Sequence, residues 1–302
     1  MLRVKATHSR SPVRLSSAEV RAVIVTRFAP SPTGYLHLGH VRSAWEGWLA
    51  ARQAGGRFLL RLEDIDHTRC RDEYAAAIVD DLAWLGLAWD GAVRRQSEHF
   101  GDYRVALGRI EAQGLLYPCF CSRRDIQAEI ARAGDAPQGE LGPSYPGTCR
   151  RLSPAARAAK RAAARDYALR LDIGAAYARV GPLEWREEGP GGARLVPVDF
   201  AGVGDVVLAR KDFPASYHLA VTIDDALQGV TLVTRGVDLF AATAIHRLLQ
   251  ALLGLEGPRY RHHPLLTDPS GRRFAKRDGA LPIRDMRAAG KSAAEILALA
   301  IS

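Results

Sequence analysis

The stretch RFAPSPTGYLHLGH, from Arg27 to His40, constrains the fold of this chain more than any other segment. Before it, Ala22 to Val25 is an apolar run of the kind that forms a buried strand. After it, apolar residues recur at helical spacing, at Val41, Ala44, Trp45, Trp48 and Leu49. Prolines and glycines predict irregular backbone up to His40. The segment therefore predicts a strand, a turn, and a helix whose first amide groups can face an anion.

Two histidines flank Gly39 at the predicted helix start, His37 and His40. Imidazole groups at this place can hydrogen-bond phosphates and stabilise charge that develops on phosphorus. A single histidine near a helix start is more often a cap or a surface residue. The pair favours phosphate binding, and it makes His37, Gly39 and His40 candidate ATP-binding residues.

A second strand is predicted where Phe58, Leu59, Leu60 and Leu62 follow two glycines. Residues 22–64 then form a β-α-β unit, which builds a parallel sheet with its ligands at the carboxyl ends of the strands. Glu63 to Asp66 follow this strand. Further helices are predicted over Glu73–Leu85, Tyr103–Gln113 and Ala242–Leu253, and the strands and helices of the second half include VVLAR, YHLAVTIDD and VTLVTRG.

Length and composition predict one globular α/β chain, since 302 residues with 47% hydrophobic content can bury a full core. The expected organisation is a basic tail (1–20), a first half of the sheet (21–116), an insertion (117–200) and a second half (201–302). The tail also has features of an organelle transit peptide, but its serines and Pro12 favour a flexible extension. No apolar run is long enough to span a membrane, so a cytoplasmic protein is expected.

The chain is basic, with 42 lysines and arginines against 33 acidic residues and a net charge of +9. The excess is concentrated in RRLSPAARAAKRAAAR, from Arg150 to Arg165, which contains no acidic residue. A helix here would present a basic face to a nucleic-acid backbone. A solvated, alanine-rich surface helix is the alternative.

A cysteine cluster lies in the predicted insertion, at Cys119, Cys121 and Cys149, with Tyr145 four residues before the last. Three thiolates and a phenolate could bind one zinc ion in a closed tetrahedral site. Spacing alone leaves three reduced structural cysteines as an equal alternative. Cys70 stands apart and has no predicted role.

Several segments together resemble the class I glutamyl-tRNA synthetases: RFAPSPTGYLHLGH, RFLLRLEDID, LAWLGLAWD, QSEHF, YPCFC, YHLAVTIDDALQGVTLVTRGVDL and RFAKRDG. His37 to His40 is similar to the HIGH signature of that family. Arg273 to Arg277 is similar to its KMSKS loop, with Lys276 at the second lysine. The resemblance extends over about residues 22–285.

This resemblance implies a Rossmann-like catalytic domain that joins glutamate to the α-phosphate of ATP, with Mg²⁺, His37, His40 and Lys276 stabilising the charge. It implies that Arg27, Tyr217 and Arg235 hold the side-chain carboxylate. Ser31 and Glu63 would bind the α-amino group, and the intervening Phe28, Ala29 and Pro30 would line the same site. It also favours structural zinc at the cysteine cluster.

The chain also departs from full-length members of that family. Ala275 replaces the serine of the KMSKS pattern, and Val221 replaces an asparagine near the glutamate side chain. Only 25 residues follow Arg277, too few for an anticodon-binding domain. In this the chain resembles the truncated glutamyl-Q tRNA(Asp) synthetases, which esterify queuosine at the wobble position.

The truncated relatives imply as partners the anticodon stem-loop of tRNA(Asp), L-glutamate and ATP, with a monomeric enzyme expected. Two alternatives remain. The first is a minimal glutamyl-tRNA synthetase that charges a tRNA 3′ end. The second is a catalytically silent paralogue that binds RNA through its basic face.

Overall fold

A computed structural model describes residues 23–132, 138–139, 142–163, 166–266 and 281–301. The predicted basic tail (1–20) and the predicted KMSKS-like loop from Arg273 to Arg277 both lie outside these ranges. Ala275 and Lys276 are therefore considered from the sequence alone.

The elements alternate between strands and helices along much of the chain. The strands are β1 (Val25–Phe28), β2 (Arg57–Leu62), β3 (Arg94–Arg95), β4 (Leu116–Cys119), β5 (Gln138–Gly139), β6 (Gly142–Pro143), β7 (Ala168–Leu171), β8 (Glu184–Gly189), β9 (Gly192–Pro197), β10 (Val207–Ala209), β11 (Leu232–Gly236) and β12 (Arg259–His263). The α-helices are α1 (Leu38–Gln53), α2 (Asp72–Trp84), α3 (Phe100–Glu111), α4 (Arg123–Arg132), α5 (Pro154–Ala163), α6 (Ile173–Val180), α7 (Tyr217–Leu227), α8 (Ala242–Leu253), α9 (Ile283–Ala288) and α10 (Ala293–Ile301). Short 3₁₀ helices cover Gln96–Glu98 and Val237–Leu239.

Parallel strand pairing dominates the centre of the molecule. β1 pairs with β2, and β2 with β3, in parallel. β11, β12 and β8 also pair in parallel, and β9 adds an antiparallel edge to β8. The Thr231 amide, just before β11, donates to the Val25 carbonyl over 2.9 Å and joins the two sets. β1 therefore lies between β2 and β11, and the predicted α/β fold with a Rossmann-like parallel sheet is confirmed.

Helices cover both faces of this sheet. On one face α1, α2, α9 and α10 pack over alternate residues of β2 such as Phe58 and Leu60. Elsewhere α3, α6, α7 and α8 build a second core around Tyr103, Ile110 and Leu248. None of the helices in the described ranges is long and apolar enough to cross a bilayer.

The first strand and helix differ from their predicted bounds. Val23 is 61% exposed, and the strand runs instead from Val25 to Phe28 because these residues pair with β2. The helix begins at Leu38, two residues before His40. Its buried face is made of small residues rather than the tryptophans. The reason is the close packing of α1 on the sheet, where a Cβ at Gly47 would come within 2.9 Å of Thr234 Oγ1.

The remaining sequence-predicted elements lie close to the observed ones. α8 has the predicted bounds, whereas α2 and α3 begin one and three residues earlier than predicted. The Gly- and Pro-rich residues 186–197, which were expected in the insertion, contribute to β8 and β9 and extend the central sheet.

A separate antiparallel sheet forms within residues 116–209. β7 pairs with β4 on one side and β10 on the other. A small cluster packs beside it, made of Tyr117, Cys119, Tyr145, Cys149 and Ala168. The basic stretch forms α5, which has no buried residue.

Candidate active site

The carboxyl end of β1 opens into a cavity of about 570 Å³ between β2 and β11. This is the point at which the strand order reverses, where open parallel sheets bind their ligands. The cavity brings together every predicted ligand residue of this site that lies in the described ranges. These are Arg27, Phe28, Ala29, Pro30, Ser31, His37, Gly39, His40, Glu63, Tyr217 and Arg235.

The two histidines cap the start of α1 in a reciprocal arrangement. The Gly39 amide donates to His37 Nδ1 over 3.1 Å, and the His37 amide donates to His40 Nδ1 over 3.2 Å. The two rings lie 3.8 Å apart. The Gly39 amide, one of the first helix amides expected to face an anion, is thus already bonded to His37. Since each Nδ1 accepts, each neutral ring carries its proton on Nε2, and this N–H is the donor that it can present to a phosphate.

A buried ion network holds the floor of the cavity. Arg27 Nε lies 3.0 Å from Asp225 Oδ1, and Arg61 Nη1 lies 2.7 Å from the same oxygen. Arg61 Nη2 also reaches Glu63 Oε1 at 3.2 Å. The Glu63 amide donates to the Pro30 carbonyl over 3.0 Å, which ties the end of β2 to the turn after β1. The network fixes Arg27 and Glu63 relative to each other.

The two carboxyl groups of this network differ in their acidity. Burial raises the pKa of Glu63, and the nearby guanidinium groups only partly oppose this. Burial also acts to raise the pKa of Asp225, but the charges of Arg27 and Arg61 outweigh it and hold that pKa below its ordinary value. Asp225 is therefore the fixed counter-ion of Arg27, and Glu63 would gain from an additional cationic partner.

Arg235, at the end of β11, has a different set of partners. Its Nε donates to His262 Nε2 over 3.1 Å, and its Nη2 donates to Thr243 Oγ1 over 2.6 Å. Its Nη1 lies 3.2 Å from His246 Nδ1. The side chain is 5% exposed. Among the described residues no carboxylate forms an ion pair with it, so its positive charge remains available to a ligand.

A larger cavity of about 920 Å³ adjoins the first one. Residues that line both are Ser31, Thr33, Glu63 and Tyr217. The larger cavity extends to Cys119 and Cys121 and carries a set of cationic side chains: Arg69, Arg123, Arg170, Arg210 and Lys211. Val221, by contrast, is buried in α7 and is not among the described residues that line either cavity.

The cysteine cluster has the dimensions of a tetrahedral metal site. The Sγ atoms of Cys119, Cys121 and Cys149 all lie within 4.8 Å of one another, and those of Cys121 and Cys149 are 3.5 Å apart. Tyr145 Oη lies 3.5 Å from Cys119 Sγ and 3.7 Å from Cys121 Sγ. Zinc bonds of about 2.0 Å to oxygen and about 2.3 Å to sulfur place ligands of a tetrahedron roughly 3.5–3.8 Å apart. The four side chains therefore fit one ion.

The surroundings of this cluster lower the pKa of Cys149, through hydrogen bonds that outweigh burial, but not that of Cys121. The Arg170 guanidinium carbon lies 3.9 Å from the centre of the Tyr145 ring. The Phe120 amide donates to Cys149 Sγ over 3.4 Å. Burial raises the pKa of Cys121 to about 12, so without a cation this thiol stays protonated at neutral pH. A bound cation would reverse that preference.

The basic helix α5 lies beside this cluster. Lys160 and Arg161 are exposed, and the Arg161 guanidinium carbon lies 5.1 Å from the centre of the Tyr167 ring. Tyr167 in turn contacts Phe120 in an edge-to-face arrangement. The outer basic surface and the cysteine cluster therefore belong to one packed unit.

Several residues of the site were not predicted from the sequence. Asp225 follows another aspartate in an otherwise apolar helix, IDDAL, and that buried acidic pair was an available signal. Arg61 interrupts the apolar run of β2 in a similar way. His246, His262 and Glu187 lie far apart in the chain and carry no local signal.

Known proteins are similar to this chain in sequence. The sequence matches the family model described as tRNA synthetases class I (E and Q), catalytic domain, over residues 23–299. It is 50% identical over 278 residues to a glutamyl-Q tRNA(Asp) synthetase of Rhodobacter capsulatus, a match that covers 90% of this chain and 98% of that relative. It is 46% identical over 274 residues to a glutamyl-Q tRNA(Asp) synthetase of Nocardia farcinica, covering 90% of this chain and 82% of that one.

A solved structure is similar as well. It is a glutamate tRNA ligase from Elizabethkingia meningosepticum in complex with its amino acid, with a TM-score of 0.70 and 29% identity. The match covers 85% of this chain and 52% of that chain, so this chain spans about half the length of that relative.

Proposed function

We propose that this chain, which belongs to the class I tRNA synthetase family for glutamate and glutamine, activates L-glutamate with ATP and transfers it to queuosine in the anticodon of tRNA(Asp). The observation that carries the proposal is the joint placement of Arg27, Arg235 and the histidine pair around one cavity. Support for the acceptor comes from the relative that this chain matches over 98% of its length, a glutamyl-Q tRNA(Asp) synthetase.

In the activation step, a glutamate α-carboxylate oxygen forms a bond to the α-phosphorus of ATP, and the bond to pyrophosphate breaks. Two anions must approach each other, so positioning and charge stabilisation are the main requirements. We assign the phosphate contacts to the Nε2–H groups of His37 and His40 and, from the resemblance, to Lys276. Gly39 permits close approach at the start of α1. Mg²⁺ bound with ATP would offset the phosphate charge.

Glutamate recognition is assigned to opposite sides of the same cavity. Arg27, Tyr217 and Arg235 would hold the side-chain carboxylate. Glu63 and Ser31 would bind the α-ammonium group. This group would be the additional cation that stabilises the ionised form of Glu63, whose pKa burial raises. Phe28, Ala29 and Pro30 form the wall between these groups.

In the transfer step, a hydroxyl oxygen of the queuosine cyclopentene-diol forms a bond to the carbonyl carbon of the adenylate. AMP leaves with the electron pair of the broken bond, and the hydroxyl proton is released to AMP or to water. The larger cavity supports this proposal because it shares Ser31, Glu63 and Tyr217 with the amino-acid site. An acceptor entering through it would meet the adenylate from the side opposite the histidines. Its lining holds five cationic side chains against four carboxylates, Glu63, Asp66, Asp205 and Asp212, and among the cations Arg123 and Lys211 would contact the phosphates of an anticodon loop.

We also propose that the cysteine cluster binds one structural Zn²⁺ through Cys119, Cys121, Tyr145 and Cys149. The ion would hold together a unit with little apolar core of its own. It supplies no step of the reaction.

Two assays test the function. Pyrophosphate should exchange into ATP when glutamate is added and much less when glutamine is added. After transfer of labelled glutamate to tRNA(Asp), nuclease digestion should place the label on the anticodon fragment. Label on the 3′-terminal adenosine would instead show a minimal glutamyl-tRNA synthetase. Binding of tRNA without any exchange activity would indicate the silent paralogue.

The basic face of α5 gives a prediction for the RNA partner. Combined Lys160→Glu and Arg161→Glu substitutions should raise KM for tRNA about tenfold or more, because two phosphate contacts are lost. Glutamate-dependent pyrophosphate exchange should remain unchanged. The slope of the logarithm of the tRNA binding constant against the logarithm of the salt concentration should become less negative by about two.

A matched pair of substitutions controls for net charge. Arg287 and Lys291 are both exposed, in and just after α9. Like Arg161, Arg287 lies over an aromatic ring, since its guanidinium carbon is 4.9 Å from the centre of the Trp84 ring. Combined Arg287→Glu and Lys291→Glu substitutions should leave KM for tRNA near the wild-type value. Equal effects of the two double variants would show that α5 is only a solvated surface helix.

A further inference from the structure

The two arginines of the amino-acid cavity are held in chemically different ways. Arg27 is paired with the buried carboxylate of Asp225, which neutralises much of its charge. Arg235 is equally buried, yet its three hydrogen-bond partners in the described chain are His246, His262 and Thr243. These partners orient the guanidinium group without opposing its charge.

The hydrogen bonds fix the protonation of both histidine rings. A guanidinium group only donates, so His246 Nδ1 and His262 Nε2 must both be unprotonated acceptors. His262 Nδ1–H then donates to Glu187 over 3.0 Å. His246 Nε2–H donates to His218 Nδ1 over 3.2 Å. Each ring is therefore a neutral tautomer.

The acidity of the rings agrees with this assignment. Burial lowers the pKa of His246 well below its ordinary value, and the nearby charge of Arg235 lowers it further. Burial and Arg235 also lower the pKa of His218 to about 4. Burial likewise lowers the pKa of His262, although Glu187 opposes the shift. At neutral pH none of the three rings adds a charge to the cavity.

Glu187 is a carboxylate that belongs to this arrangement, but it contacts the His262 ring and not Arg235. Its oxygens accept hydrogen bonds from the His262 ring, the His262 amide and Trp185 Nε1. The Tyr260 ring centre lies 5.3 Å from the Arg235 guanidinium carbon, so an aromatic face covers the cation as well. Within the described parts of the chain, each hydrogen-bond partner of Arg235 and the ring that covers it are thus neutral groups.

We propose that His246 and His262 are positioning residues, which together form a neutral cradle that holds Arg235 with its charge uncompensated. This neutral cradle sets the preference of the site for a substrate carboxylate over a carboxamide. The inference rests on the proposed function, in which glutamate is the amino acid activated. A carboxylate in place of either histidine would pair with Arg235 before the substrate arrives. The guanidinium group would then gain less from glutamate and discriminate less against the neutral glutamine.

Position 246 allows a test in which only charge differs. Asparagine and aspartate have the same shape, and either can place Oδ1 near the position of His246 Nδ1. His246→Asn keeps a neutral acceptor, so KM for glutamate should stay within about fivefold of wild type. His246→Asp should raise KM for glutamate about tenfold above that of His246→Asn. It should also lower the glutamate-to-glutamine ratio of kcat/KM about tenfold, while KM for ATP is unchanged.

The outcomes separate this inference from the proposed function. If wild-type protein shows no glutamate-dependent exchange, the proposed function fails. If wild type is active but the two variants have the same glutamate-to-glutamine ratio, the neutral cradle is wrong.

A second pair of variants is available if His246→Asp does not fold. His262→Gln can keep an acceptor near the position of Nε2, whereas His262→Leu removes it. The cradle predicts a KM for glutamate nearer wild type in the glutamine variant, and equal KM values would overturn it.

Discussion

Replacing Arg235 with leucine is expected to lower kcat/KM for glutamate by about 10²- to 10³-fold in pyrophosphate exchange. Loss of one partner from a buried charge pair costs about 2–5 kcal/mol, and each 1.4 kcal/mol is roughly tenfold. The substrate carboxylate would have to leave water for a cavity in which one of its two cations is missing and the other, Arg27, is already paired with Asp225. The loss should be much larger for glutamate than for glutamine.

A surface arginine on the adjacent strand provides the control. Arg261 is 38% exposed and pairs with Glu188 at 2.8 Å. Exposed pairs contribute about 0–1 kcal/mol, so Arg261→Leu should change exchange kinetics little. Thermal unfolding and KM for ATP should be measured for both variants. If Arg235→Leu lowers kcat/KM for glutamate and for glutamine to a similar extent, Arg235 supports the fold and does not recognise the side chain of the substrate.

The second large effect is expected at the cysteine cluster. Protein purified without chelator should contain one zinc ion per chain, and Cys149→Ser should contain almost none. Zinc sites of this type contribute about 10–16 kcal/mol of apparent binding free energy in small domains. Because the cluster has few buried apolar residues of its own, metal loss should expose residues 117–171 to rapid proteolysis. Transfer to tRNA should fall more than pyrophosphate exchange, since the cysteines lie by the larger cavity.

Cys70 serves as the matched control for this substitution. Its Sγ lies 3.9 Å from the Glu63 carbonyl oxygen, and it is not one of the three cysteines that come together in the cluster. Cys70→Ser should therefore keep the full metal content. Wild-type protein that binds no zinc, yet resists proteolysis over residues 117–171, would show that the cysteines are structural thiols only.

Local sequence patterns were sufficient for the parallel sheet and for much of the cavity. The apolar run of β2, the helical spacing after His40 and the bounds of α8 all follow from residues close together in the chain. The three-residue shift of β1 was not predictable in the same way. It depends on pairing with β2, which places Arg27 and Phe28 inside the strand.

The residues that were missed share a different property. Asp225, His246 and His262 act through partners that are distant in sequence, such as Arg27, which lies 198 residues before Asp225. Glu187 was missed for a further reason. The Gly- and Pro-rich residues 186–197 were expected to be part of the insertion and not strands of the central sheet. Folding brings these groups to the same point, and of them only Asp225, in the acidic pair of IDDAL, carried a local signal in the sequence.

The most direct measurement of the proposed function is the labelling of two forms of one tRNA. Purified protein is incubated with ATP, labelled glutamate and tRNA(Asp) that either carries queuosine or has unmodified guanosine at the wobble position. We expect stable labelling of the queuosine form and none of the guanosine form. Equal labelling of both forms, or labelling of tRNA(Glu) alone, would contradict the assignment of queuosine as the acceptor.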